Sequence, residues 1–210
     1  MSKDAYGRIA RWYDTLFDSM NAGLRAVSKR MYPPSAEMTV LDVGCGTGSH
    51  LKAYQKVGCT VYGIDMSPAM MEVARQKLGE GANLHLGDAT DMPYDDDTFD
   101  LITTTLTLHE MPPPTRDGIL TEMKRTLKPD GRLLLIDYHP GKLRFPKGWL
   151  FKGIITAAEI AAGREHYANF RQFMATDGLP MLIASHQLKV EQQKIVSGGN
   201  MALFLLSVGK

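Results

Sequence analysis

The tightest constraint on this chain is the run Leu41-Asp42-Val43-Gly44-Cys45-Gly46-Thr47-Gly48, where a short apolar strand ends in three glycines at alternating positions. The strand covers residues 39–43, and a helical pattern follows over residues 49–57. A chain that turns this sharply from strand to helix needs residues that tolerate left-handed backbone, and a ligand brought against that turn collides with any Cβ. The helix start adds N–H groups without intrahelical partners. The spacing is G-x-G-x-G, with Asp42 two residues before the first glycine, not the G-x-G-x-x-G that seats a pyrophosphate at a helix end. A glycine loop alone also fits an ordinary strand-to-helix turn, so the residues after it decide the reading.

Residues 60–65 read as a second strand that ends in an acid, and Asp65 lies 21 residues past Gly44. Nucleotide-binding folds place a ribose-binding carboxylate at about this interval. A carboxylate there accepts two hydrogen bonds from a ribose diol, and is expected to hold ligand rather than core. Ser67-Pro68 supplies an N-cap and an N1 proline, and Met70, Val73, Ala74 and Leu78 continue with helical spacing. A third strand, residues 83–86, runs into Gly87-Asp88-Ala89-Thr90-Asp91-Met92-Pro93.

Three acid-tipped strands in this order resemble the class I S-adenosylmethionine (SAM) methyltransferases, whose ligand carries an amino acid instead of a pyrophosphate. Phe99-Asp100-Leu101-Ile102-Thr103-Thr104 matches that family's fourth strand, and Leu127-Lys128-Pro129-Asp130-Gly131-Arg132 with the apolar run to Asp137 matches its helix end, turn and fifth strand. The resemblance covers roughly residues 40–137 and is nearest in flavour to the ubiquinone and menaquinone biosynthesis group. It implies an α/β fold, Rossmann-like, with a mostly parallel seven-stranded sheet, an antiparallel last strand, N-terminal lid helices and an insertion after the fifth strand. It also implies SAM as cofactor, contacted by Asp42, Gly44, Cys45, Gly46, Gly48, Asp65 and, at the end of the fourth strand, Thr105. Asp88 would take the adenine amine, the Ala89 N–H would reach a ring nitrogen, and Met66 would pack on the ring face. The aspartates at 95–97 read as a solvated loop.

With 210 residues the chain is expected to be one domain (1–210) with a real core. Its 24 basic and 23 acidic side chains nearly cancel, so no global field calls for nucleic acid. Only Cys45 and Cys59 are present, which suits a reducing cytoplasm rather than a disulfide framework. No stretch has the apolar length of a signal peptide or a spanning helix. No metal site is expected from these spacings.

Upstream of the first strand, residues 6–17 carry Ile9, Trp12, Tyr13, Leu16 and Phe17 on one helical face. Leu24, Val27 and Met31 suggest a second helix, stopped by Pro33-Pro34. These two lid helices (residues 1–34) resemble those of the quinone-pathway relatives. Tyr13 would touch the methionine end of SAM there, or else serve as a core aromatic. Residues 115–127 and 179–188 read as helices, and residues 190–196 and 201–208 pair as a hairpin around Ser197-Gly198-Gly199-Asn200.

The insertion, residues 138–177, sits at the carboxyl edge of the sheet and is expected to form the acceptor side of the pocket. From Lys124 to Lys152 eight basic residues face two acids, and Phe145, Trp149, Leu150 and Phe151 are interleaved with Lys142, Arg144, Lys147 and Lys152. That mixture suits transient contact with a membrane surface, and equally a helix packed on its own domain.

Methyl transfer from a sulfonium is a direct displacement and needs no protein nucleophile. Alignment of acceptor, methyl and sulfur dominates, and a base helps where the acceptor must lose a proton. His109, after the fourth strand, and His139, past the fifth, are the candidate catalytic residues; a structural hydrogen-bonding role for His109 stays open. Arg164, His166, Tyr167 and Arg171 cluster in the insertion, either gripping a polar head or facing solvent. The acceptor is read as a small molecule, an apolar quinone precursor or lipid. A polar metabolite is the alternative, as is a SAM-binding regulator that transfers nothing.

Overall fold

The computed structural model describes residues 10–209, with side chains from Asn21 onward. Seven strands make one sheet: β1 Thr39–Val43, β2 Thr60–Asp65, β3 Ala82–Leu86, β4 Phe99–Thr105, β5 Leu127–Tyr138, β6 Leu188–Val196 and β7 Met201–Val208. Their spatial order is β3-β2-β1-β4-β5-β7-β6. The first five run parallel, while β7 lies antiparallel between β5 and β6. Among the described residues the α-helices are α1 Ala10–Met31, α2 Ser49–Gln55, α3 Pro68–Leu78, α4 Pro113–Thr126, α5 Lys147–Ala162, α6 Arg164–Ala175 and α7 Leu179–Ser185.

Alternation along the strands explains the layers. Leu41, Val43, Ile102, Leu133 and Leu135 point to one face, where Ile119, Leu120 and Met123 of α4 and Ile183 of α7 cover them. Val40, Leu101, Leu134 and Ile136 point to the other, against Leu24 of α1, Leu51 and Tyr54 of α2, and Met71 of α3. Strands buried on both faces read as continuous apolar runs rather than alternating ones, which is why Leu133-Leu134-Leu135-Ile136 carries no polar residue. Burying each such side chain contributes roughly 1.5–3 kcal/mol.

The sheet order reverses between β1 and β4, and in open α/β sheets that switch point opens a crevice outside the carboxyl ends of the strands. The glycine loop follows β1, and residues 106–111 follow β4, so these two segments form the crevice walls. Gly44 and Thr107 are in close approach: a Cβ at Gly44 would lie 2.5 Å from the Thr107 side chain.

The N-terminal region differs from the sequence expectation of two lid helices. Ala10–Met31 is one unbroken helix of 22 residues. Gly23 is its only glycine, and one glycine inside a helix costs only about 1 kcal/mol, too little to end it before Pro33. Tyr13 lies on α1, but its side chain falls outside the described residues. The hairpin forms as expected, with the 3-10 turn Ser197–Gly199 between β6 and β7. The insertion folds as α5 and α6, whose connection turns at Gly163 with φ 124°. Among the described residues no helix is long and apolar enough to cross a membrane.

Candidate active site

All three loop glycines hold left-handed backbone, with φ of 69° at Gly44, 53° at Gly46 and 73° at Gly48. Gly44 and Cys45 donate their N–H groups to the Ile64 carbonyl at 2.9 and 3.1 Å, which ties the loop to the end of β2. Cys45 therefore spends its backbone donor on the fold. Its thiol is buried 3.8 Å from the Met71 sulfur, and burial first, then the Asp42 and Asp65 charges, push it far above its usual range. Cys45 is a neutral packing group. A Cβ built at Gly46, by contrast, meets nothing within 4 Å, so the open side of the loop is at Gly46.

Asp65 performs a second task that sequence reasoning missed. One carboxylate oxygen accepts the Gly46 N–H and the other accepts the Ser67 N–H, each at 2.8 Å. The acid at the β2 tip thus fixes the shape of the glycine loop and the start of α3, as well as facing the crevice. The expectation that this acid holds ligand rather than core is corrected accordingly.

Asp42 is buried, with 2% of its surface exposed. Thr103 Oγ1 donates to it at 2.6 Å from the neighbouring strand. Burial, reinforced by the Asp65 charge and only partly offset by Thr103, raises its pKa to about 7. Asp88 accepts both Thr90 donors on a single oxygen, at 2.9 Å each. Ala89 packs against the core beside it, while Met66 is 63% exposed at the rim. Thr105, at the β4 terminus, has a buried hydroxyl with no hydrogen-bond partner.

The insertion meets the core at His109, in the one-turn 3-10 helix Leu108–Glu110 after β4. His109 is 3% exposed. Its Nδ1 lies 2.7 Å from Asp137 Oδ1, and its backbone N–H donates to the other Asp137 oxygen at 3.1 Å. Its Nε2 points at Glu159 Oε1 of α5, 3.5 Å away. His166 of α6 places Nε2 2.7 Å from Glu159 Oε2 and Nδ1 3.1 Å from Glu110 Oε2. Tyr138 donates its hydroxyl to Glu159 Oε1 at 3.0 Å. Burial opposes charge on His109, but Asp137 and Glu159 together outweigh it and lift the imidazole to about 10. Burial likewise acts to raise Glu159, and the two histidines overcome it and hold the carboxyl well below its ordinary range.

Arg116 of α4 clamps this seam. Its guanidinium donates to the carbonyls of Leu108, His109 and Asn169 and to the Gln172 side chain, and it lies 4.9 Å from the Phe173 ring centre. Asn169 adds a bond to the Glu110 carbonyl at 2.8 Å. His166 and Asn169 thus share one inward helix face. Arg171 lies over Tyr167 at 6.0 Å. His139 stands apart from the His109 network: its Nδ1 is buried without a partner, and burial lowers its pKa despite the Asp177 charge.

Sequence reasoning singled out His109 and His166 but not Glu159 or Arg116. The signal for Glu159 was present: it is the one charge in the run from Ile154 to Ala162, where every other residue but Thr156 is apolar.

Residues 41–135 match the methyltransferase domain family. Demethylmenaquinone methyltransferase of Clavibacter sepedonicus is 36% identical over 116 residues, 54% of this chain and 46% of that protein. Methyltransferase GfsG of Streptomyces halstedii is 36% identical over 155 residues, 70% of this chain and 55% of its own. The chain therefore spans about half the length of these relatives. A SAM-dependent methyltransferase from Aquifex aeolicus superimposes with a TM-score of 0.62 over 88% of both chains at 22% identity, a likeness of fold.

Proposed function

We propose that this chain, which carries a class I methyltransferase domain, transfers the methyl group of SAM to an apolar small molecule such as a quinone precursor or lipid. The observation that carries the reading is the crevice at the sheet switch point. There an open glycine loop is fixed by the acid at the β2 tip, with further acids at Asp42 and Asp88. In this reading Asp65 takes the ribose, Asp88 and the Ala89 N–H take the adenine, and Met66 covers the ring. Thr105 supplies an unpaired hydroxyl at the floor. Gly44, Cys45 and Gly48 shape the loop, and Gly46 admits the ligand.

Catalysis then rests on alignment of acceptor, methyl and sulfur. A base must have room for a proton. Both ring nitrogens of His109 already face carboxylates, Asp137 and Glu159, so it serves as a positioning group for the insertion. His139 is kept neutral by burial and has an unpaired Nδ1, which makes it the better base for an acidic acceptor.

The apolar acceptor is supported by the name of the Clavibacter relative and by the insertion. Phe145, Trp149, Leu150 and Ile154 are exposed beside Lys142, Arg144, Lys147 and Lys152, a surface that suits transient contact with an anionic membrane. A cytoplasmic setting accords with two free cysteines. The alternatives are a polar acceptor and a SAM-binding regulator. Incubating the protein with methyl-labelled SAM and total cell extract separates the three. Label in the organic phase is expected; label only in the aqueous phase favours the polar acceptor, and no transfer despite SAM binding favours the regulator.

A further inference from the structure

We propose that His109, Glu159 and His166 form a binding site for a divalent first-row transition-metal ion at the seam between the insertion and the core. The three come from separate elements, and their ligand atoms all lie within 4.8 Å of one another. No spacing in the sequence announces them, because 50 residues separate His109 from Glu159.

The orientation of the imidazoles is the first argument. Each turns Nδ1 toward a carboxylate, Asp137 for His109 and Glu110 for His166, at 2.7 and 3.1 Å. Each thereby presents Nε2 to the same third carboxylate. A carboxylate behind one ring nitrogen, with the other nitrogen aimed at a common point, is how metal-binding histidines are held and made more basic.

The unmade bonds are the second argument. Glu159 Oε2 is buried without a hydrogen-bond donor. His166 Nε2 lies only 2.7 Å from it as an ion pair. His109 Nε2 stops 3.5 Å from Oε1. Ligand atoms about 2.0–2.1 Å from a tetrahedral ion are about 3.3 Å apart, a spacing that the three ligand atoms, all within 4.8 Å of one another, can reach with small side-chain shifts. A buried carboxylate flanked by two imidazole nitrogens fits a shared cation better than a pair of ion pairs.

Charge is the third. Asp137, Glu110 and Glu159 converge on two imidazoles, and the neighbouring Arg116 spends its donors on carbonyls and Gln172. A divalent ion with neutral imidazoles relieves this excess of negative charge. Two nitrogens and one carboxylate select a zinc-, iron- or cobalt-like ion over magnesium, which prefers oxygen ligands. Such an ion would pin α5 and α6 to the turn after β4, and so fix the wall of the acceptor pocket.

The test uses the full chain stripped with a chelator, then titrated with Zn²⁺, Co²⁺ and Mg²⁺, with bound metal counted by elemental mass spectrometry. Wild type is expected to take one equivalent of Zn²⁺ or Co²⁺ and no Mg²⁺. The Co²⁺ spectrum should lack the thiolate charge-transfer band that Cys45 or Cys59 would give, and Zn²⁺ should raise the melting temperature. His166→Ala and Glu159→Gln should lose stoichiometric binding and the melting shift. Glu110→Gln, which leaves the ligands in place, should weaken affinity about 10–100-fold. His85→Ala and His186→Ala should bind as wild type. S-adenosylhomocysteine binding, read on the same samples, should persist in every variant, which keeps this test separate from the methyl-donor reading. Substoichiometric Zn²⁺ in wild type, or equal binding by the Glu110→Gln and Glu159→Gln variants and wild type, would overturn the proposal.

Discussion

Replacing Asp42 by Asn should make this protein more stable at neutral pH while weakening its hold on the cofactor. Asp42 sits on β1 with its carboxyl enclosed, accepting from Thr103 at 2.6 Å, and burial raises its pKa from 3.8 to about 7. The folded state thus binds this proton more tightly than the unfolded chain does. Stability contributed by the group is complete below pH 3.8, falls as pH rises toward 7, and is level above that. At 1.36 kcal/mol for each pH unit between the two values, the burden on the fold is about 2 kcal/mol at pH 5 and about 4 kcal/mol at pH 8. Asparagine keeps an oxygen for the Thr103 hydroxyl and removes both the buried charge and its repulsion with Asp65.

Urea unfolding of wild type and Asp42→Asn, measured side by side at pH 5 and pH 8, reads the effect with all other titrating groups cancelled. The variant should gain about 2–3 kcal/mol relative to wild type between the two pH values. A stability difference that stays constant with pH, or a variant less stable than wild type at pH 8, would refute the reasoning. Under the proposed function, SAM binding gives the ionised form of Asp42 a role. A cationic ligand favours the ionised carboxylate, so SAM affinity should rise as pH approaches 7 in wild type and stay flat in Asp42→Asn, as calorimetry across that range would reveal.

Three further outcomes follow from the crevice and the insertion. Asp65→Ala should weaken S-adenosylhomocysteine binding by about 1.5–3 kcal/mol and also lower the melting temperature, since the Gly46 and Ser67 N–H groups lose their acceptor; unchanged affinity by calorimetry would remove Asp65 as the ribose acid. Gly46→Ala has free space around its new methyl and should cost only about 1–2 kcal/mol of fold stability from its left-handed backbone while losing ligand. Gly44→Ala, forced against Thr107, should destabilise more in the same melting assay. Changing Lys142, Arg144, Lys147 and Lys152 to Ser should abolish co-sedimentation with anionic vesicles, to which each contributes about 1 kcal/mol, and spare cofactor binding; equal sedimentation of wild type with neutral and anionic vesicles would leave the segment a pocket wall.

The sheet and the glycine loop at its switch point were legible because their physics is local. A glycine forced to φ 69° at position 44, an acid at a strand tip and a proline after Ser67 each announce themselves within a few residues. Apolar runs flanked by such punctuation give most strands to within two residues, whereas β5 begins at Leu127, where the sequence reads as a helix end and turn. The lid was misjudged for the same reason: its apolar residues fall locally into two clusters, at 9–17 and 24–31, and only the continuity of α1 joins them.

The seam between insertion and core was not legible, because it is built from side chains whose meeting depends on a helix pair folding back at Gly163. His109, Asp137, Glu159 and His166 belong to four elements, and no single-chain spacing relates them. Each has an innocuous local reading, such as a charge on a helix or an acid at a strand end. What sets Glu159 apart is that burying it alone in apolar helix α5 would carry a desolvation penalty of several kcal/mol. A lone acid in an apolar helix therefore implies cationic or donor partners elsewhere in the fold, before any coordinates are known. Here those partners are two imidazoles and Tyr138. Their convergence ties α5 and α6 of the insertion to the turn after β4 and to the end of β5.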